Sequence, residues 1–177
     1  SIGVQDFNKE VQKLVNREQD EEFIIAMVQR AKVLGFRSTN LDLIYGLPKQ
    51  TQALFAETLK QVLEMKPGRL SVFNYAHMPQ LFAAQRKIKD EDLPEAKEKM
   101  AILQDTIETL TGAGYQFIGM DHFALPEDEL AVAQREGILH RNFQGYTTQG
   151  EADLIGFGVS AISMVGDAYA QNQKELK

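Results

Sequence analysis

Cysteine is absent from the 177 residues. Disulfides are therefore excluded, and so is any thiolate metal site or iron–sulfur cluster held by this chain alone. No apolar run reaches the ~18 residues of a membrane-spanning helix, and no basic-then-apolar leader opens the chain. The expected location is the cytoplasm. A basic excess is missing too: 19 Lys and Arg face 25 Asp and Glu, a net charge of -6 that argues against general nucleic-acid binding. Histidine is scarce. His77, His122 and His140 are the only three, and their spacing fits no helical or zinc-finger pattern. There is no Walker lysine motif, no GxSxG elbow and no HExxH. Gly156-Phe157-Gly158 resembles half of a glycine-rich phosphate loop, but the order of strand, GxGxxG and helix is absent. No metal ligand and no catalytic residue is assigned on these grounds.

What is present is an ordinary globular composition, 44% hydrophobic and 25% charged, in a length sufficient for one domain with a core. The pattern of the first eighty residues is strand, helix, strand, helix, strand. Ser1–Gln5 reads as a strand. Asn8 caps a short helix over 9–15, and Asp20 caps a second over 21–34 that Gly35 stops. Thr39–Tyr45 is the central strand, ended by Gly46 and Pro48. Thr51 caps a helix over 52–65, and Leu70–Tyr75 is a third strand. Each link is long enough for a crossover helix, so the strands are expected to be parallel, with their carboxyl ends at one rim. Gln5, Asp42, Ala76 and His77 then line that rim. Asn40 and Asp42 share one face of the central strand, and Asp42 is a ligand-facing candidate near its carboxyl end. The alternative, an Asp satisfied by backbone or an Arg, stays open at this point.

Further along, 85–98 reads as a solvated charged connection and 93–110 as an amphipathic helix. Tyr115–Met120 is a fourth strand, running into Asp121-His122, a polar pair at a rim or a surface salt bridge. A short helix follows over 127–135, then a turn-rich stretch over 141–150. The small residues Gly156, Gly158, Ser160 and Ala161 allow close approach of a backbone or ligand. The tail QNQKELK reads as a helix start. SIGVQDF opens inside a strand-like run without Met, so the chain reads as a piece of a larger protein.

The order of segments says more. GVQDFNKEVQKLVNREQD, STNLDLIYGLPKQT, LSVFNYAHMP, FAAQRKIKDEDLP, YQFIGMDHFALPEDELAVAQREG, LHRNFQGYTTQG and GVSAIS occur in sequence and resemble the oxygen-independent coproporphyrinogen III oxidases, radical S-adenosylmethionine enzymes of haem biosynthesis. The resemblance covers essentially the whole chain. DLIYGLPxQT is shared widely among radical enzymes of this group, whereas MDHFA and RNFQGYTT are specific to the oxidase. The CxxxCxxC loop that holds the family's 4Fe-4S cluster is missing, in agreement with the absence of cysteine.

The resemblance implies an α/β fold: the later part of a partial (β/α) TIM-like barrel with parallel strands, plus the start of the carboxyl-terminal extension. Residues 1–120 are then βα units of the barrel, and 121–177 are loops, short helices and a strand closing over the rim. It implies that the full-length enzyme oxidatively decarboxylates two propionates of coproporphyrinogen III to vinyl groups, giving protoporphyrinogen IX, by a radical derived from S-adenosylmethionine. The chain alone is expected to be inactive. The family holds two S-adenosylmethionine molecules. Gln5, Arg17, Asp42 and Ala76 match contacts to the second, and Ile162 matches a contact to the first. Charge complementarity to the four substrate carboxylates adds Arg17, His140 and Arg141 as candidates. An electron donor is required and not identified. The family member is expected to be monomeric, while this chain is expected to self-associate through its first strand. The alternatives are a cluster-less binding module for a haem precursor, or a related radical enzyme or haem chaperone.

Overall fold

A computed structural model describes residues 1–143 and 145–175. Contacts divide the chain into two units, Ser1–Val132 and Ala133–Lys177.

The first unit begins with β1 (Ile2–Gln5), α1 (Lys9–Leu14) and α2 (Glu21–Val33). It continues through β2 (Asn40–Tyr45), α3 (Gln52–Met65) and β3 (Arg69–Asn74). The helices start where their capping chemistry places them. The Asn8 side chain accepts from the Glu10 and Val11 amides, Asp20 from Glu22, and Thr51 from Leu54. Helix α3 ends at Lys66 in a left-handed conformation, just before Pro67. Strands β1, β2 and β3 are neighbours and parallel, as the crossover lengths require.

Beyond β3, two single turns of 3-10 helix at Ala83–Lys87 and Asp90–Asp92 occupy the charged connection. They lead to α4 (Ala96–Gly112), which packs beside α3. Strand β4 (Gln116–Gly119) then turns back at once into β5 (His122–Ala124). The sequence reading has Asp121-His122 as a polar pair at a rim or a surface salt bridge, and predicts no strand directly after Met120. Instead β5 inserts antiparallel between β3 and β4, giving the order β1-β2-β3-β5-β4. Met120, with φ 53, makes this reversal possible, and the Asp121 carbonyl accepts the Val72 amide.

Alternation along the strands separates two faces. Val4, Leu41, Leu43, Tyr45, Leu70, Val72 and Phe123 pack with Ile24, Val28, Phe55, Leu59, Val62, Ile102 and Leu110 from the helices. The opposite face carries Gly3, Asp42, Ser71 and His122, aligned in one row by the strand register. Arg69, also on this face, binds Asp128 at 2.8 Å and Glu129 at 2.8 Å. It thereby fixes the start of α5 (Glu129–Glu136).

The second unit holds two hairpins. Strand β6 (His140–Asn142) pairs with β7 (Gly145–Thr147), and β8 (Ile162–Val165) with β9 (Ala168–Gln171). The tail QNQKELK, over 171–177, is expected to start a helix; where it is described it is not helical, and only Gln171 belongs to a strand, the end of β9, which the two-residue Gly166-Asp167 loop returns along β8. Gln144, Leu176 and Lys177 lie outside the described residues. No helix among the described residues is long and apolar enough to cross a membrane.

Candidate functional site

The polar row on the open face of the sheet is built around Gly3. An added Cβ there would sit 2.9 Å from Gln5 Nε2 and 3.0 Å from Arg17 Nη2. Two side chains from different elements thus converge over one residue that has no side chain. Arg17 donates from Nη2 to the Gly3 carbonyl at 3.0 Å, and Gln19 Nε2 donates to the same oxygen at 3.0 Å. Gly3 lies opposite Asp42 in the β1–β2 register, so an amide, a guanidinium and a carboxylate share one patch of the sheet.

Asp42 occupies the third of the six β2 positions. It is therefore mid-strand, deeper than the rim position expected from the sequence. Its Oδ2 accepts from Ser1 Oγ at 2.7 Å and its Oδ1 from Asn40 Nδ2 at 2.6 Å. The Asn40 side-chain Oδ1 in turn accepts from Ser71 Oγ at 3.3 Å. Asp42 is half-buried and hydrogen-bonded, and a carboxylate has about four acceptor sites, so capacity for a cationic ligand group remains.

Gln5 closes β1 in an unusual conformation. Its φ is 69°, and the Asp6 amide donates back to the Val4 carbonyl at 2.9 Å. A positive φ bridged by an i-to-i+2 bond is the mark of a γ-turn, rare outside glycine. Such backbone strain costs about 1–3 kcal/mol and persists only where the surroundings impose it.

The surroundings here are Asp6 and Gln50, both 1% exposed. Asp6 Oδ1 accepts from the Asn8 amide at 2.7 Å and from Thr58 Oγ1 at 2.7 Å, and Oδ2 accepts from Gln50 Nε2. Burial pushes the Asp6 carboxyl above its usual value of 3.8, against the opposing pull of these donors. Gln50 Nε2 also donates to the Ile44 carbonyl, and its Oε1 accepts from the Gly46 and Leu47 amides. The turns that end β1 and β2 are thus tied by one buried pair.

Ala76 lies two residues beyond β3. Its carbonyl accepts from Gln85 Nε2 at 3.1 Å, and Gln85 Oε1 accepts from the Met78 amide. His77 bridges Tyr75 Oη and Asp90 Oδ1, each at 3.1 Å. This rim loop is therefore tied to itself. His122 contacts Asp121, Nδ1 to Oδ1 at 2.5 Å, and stacks edge-on against Phe73.

Within the second unit, His140 and Arg141 line a cleft of about 280 Å³ with Gln149, Asp167 and Tyr169. Arg141 also lies over the Tyr146 ring, 5.9 Å from its centroid. Ile162 opens β8, and its carbonyl passes so close to Gly156 that an added Cβ would stand 2.6 Å away. Gly156 therefore serves a close approach of the chain's own backbone, and a strand rather than a helix follows it, which removes the phosphate-loop reading.

The structure brings Gln5, Arg17 and Asp42 together and sets Ala76 on the loop after β3. His140, Arg141 and Ile162 are described within the second unit. Sequence reasoning missed Gly3, Asp6, Gln50 and Gln85. A glycine inside a strand pattern was the available signal for Gly3. Among the described residues no group of three or more His, Asp or Glu could hold a metal ion.

No family model matches the chain. Curated relatives do. The chain is 76% identical over 177 residues to the oxygen-independent coproporphyrinogen III oxidase of Salmonella typhimurium and 75% identical to that of Escherichia coli K12. It is 58% identical over 176 residues to that of Pseudomonas aeruginosa. All of the chain matches the first two, but it spans only 39% of their length. A solved structure, coproporphyrinogen III oxidase from Escherichia coli, described as a radical SAM enzyme, superimposes with a TM-score of 0.96 at 74% identity. The match covers 98% of this chain and 40% of that one. In sequence and in fold, the chain is thus similar over its whole length to a segment making up about 39% of the oxygen-independent coproporphyrinogen III oxidases.

Proposed function

We propose that this chain is the S-adenosylmethionine-contacting part of an oxygen-independent coproporphyrinogen III oxidase, which converts two propionates of coproporphyrinogen III to vinyl groups. The observation that carries the reading is the convergence of Gln5 and Arg17 over Gly3, opposite Asp42. The donor set suits the ligand. S-adenosylmethionine offers a sulfonium, an ammonium and a carboxylate. Asp42 pairs with the cationic part, and Arg17 takes the carboxylate through its remaining N–H groups. Gln5 supplies both a donor and an acceptor. Ala76 contributes main chain to the same molecule, and Ile162 contacts the S-adenosylmethionine at the cluster. When bound, S-adenosylmethionine is the source of the oxidising radical, and the protein orients and shields it.

The 4Fe-4S cluster does not fit this chain's residues. It needs thiolates, and there is no cysteine. The cluster belongs to a segment outside these residues, and the chain by itself is inactive. His140 and Arg141 bind substrate propionates, as their cleft and the Arg141 guanidinium suit. The reaction belongs in the cytoplasm.

The test is a chimera in which these 177 residues replace the matching segment of the Escherichia coli enzyme. Protoporphyrinogen IX formation is expected, with loss on Asp42→Ala and a raised apparent substrate constant on Arg141→Ala. A chimera that assembles its cluster yet forms no product would overturn the reading.

A further inference from the structure

We infer that Asp6 and Gln50 form a positioning pair that holds Gln5 in its γ-turn and so aims its amide over Gly3. The inference rests on the reading of Gln5 as a ligand contact, but the geometry stands apart from it. Gln5 is the residue before Asp6 and carries the positive φ. An extended residue at the end of β1 would send its side chain elsewhere, so something must hold the turn.

The polarity of the pair is fixed. Each of the polar atoms on Gln50 has a partner of one kind. Oε1 meets only donors, the Gly46 and Leu47 amides, and Nε2 meets only acceptors, Asp6 Oδ2 and the Ile44 carbonyl. The amide therefore has one orientation, with its donor towards Asp6. Asp6 in turn faces donors from Asn8, Thr58 and Gln50, so it is anchored on three sides while its own amide closes the γ-turn. The Asp6 carbonyl accepts from Gln12 Nε2 at 2.8 Å, which ties the turn to α1 as well. Neither Asp6 nor Gln50 reaches the open face. Both act through Gln5.

The fixed polarity gives a test that a merely structural role would not pass. Gln50→Glu keeps shape and the acceptor for Gly46 and Leu47, but aims an oxygen at Asp6. Adding Asp6→Asn restores a donor across that contact with the direction reversed. S-adenosylmethionine binding by the 177-residue chain is measured by calorimetry, and the Gln5 side-chain amide is followed by NMR. Gln50→Glu is expected to shift the Gln5 resonances and weaken binding about tenfold. The double exchange is expected to recover most of both losses. Thr58→Val, which removes one donor from Asp6, gives a smaller change in the same direction and serves if Gln50→Glu does not fold. Unmoved Gln5 resonances in the variants, or a double exchange no better than Gln50→Glu, would overturn the inference. If the parent chain binds no S-adenosylmethionine, the functional reading fails, while the Gln5 resonances still decide the positioning claim.

Discussion

At Gln5, stability and ligand contact pull in opposite directions. A glycine adopts a positive φ without steric cost. Gln5→Gly should therefore raise stability in chemical denaturation, or leave it level, while weakening S-adenosylmethionine binding. A clear loss of stability would show that the side chain, not the backbone, is what the fold needs there. Asp6 makes a second prediction, this time in pH. Burial raises its folded value above 3.8, so the folded state holds the proton more tightly than the unfolded one. The stability from this group is then greatest below 3.8 and falls as pH rises through the folded value. The advantage of the wild type over Asp6→Asn should accordingly be larger at about pH 4 than at about pH 7. Denaturation curves for both proteins across that range check it, and an advantage that grows with pH would contradict it. The placement of Asp42 on the face away from the core and of Gln5 at the end of its strand was legible in the sequence, because strand alternation and strand ends show in the residue pattern. The roles of Asp6 and Gln50 were not, because they depend on a contact 44 residues apart that no local spacing records.

Elements repeat the lesson. The capped helices α1, α2 and α3 and the parallel strands β1, β2 and β3 follow from local chemistry, since Asn8, Asp20 and Thr51 mark starts and the crossover lengths fix direction. The β4–β5 hairpin does not, because it depends on Met120 taking a positive φ, which its residue type does not advertise. Strand β9 is hidden for a related reason: nothing in Ala168–Gln171 marks a strand until the Gly166-Asp167 loop turns it onto β8. The link between β3 and α5 is the ion pair of Arg69, with the Asp128 side chain only 3% exposed. Asp128 also caps α5, accepting the Leu130 amide at 2.9 Å. Removing one partner of a buried pair strands the other charge, so Arg69→Met should cost roughly 3 kcal/mol. Protection of the α5 amides from hydrogen exchange should fall more than that of β2. Equal loss in both would mean that the pair stabilises the whole unit rather than its junction with α5.

On the scale of the molecule, β1 is an outer strand of the described sheet and pairs with β2 alone. Unpaired strand edges recruit other strands. Phe23, Val33, Leu34 and Phe36, all more than half exposed, add apolar surface at α2 and just beyond it. The 177-residue chain should therefore self-associate with rising concentration in sedimentation velocity, and a single monomer boundary at all concentrations would count against this. The polar row Gly3, Asp42, Ser71 and His122 lies on the face that the core does not use, which is why a carboxylate is tolerated mid-strand. The most direct measurement of what that face does is calorimetric titration of the chain with S-adenosylmethionine, beside Asp42→Asn. Saturable one-site binding that weakens at least about tenfold in the variant, with an unchanged melting temperature, is the predicted result. Equal binding by both proteins, or none by either, would contradict it.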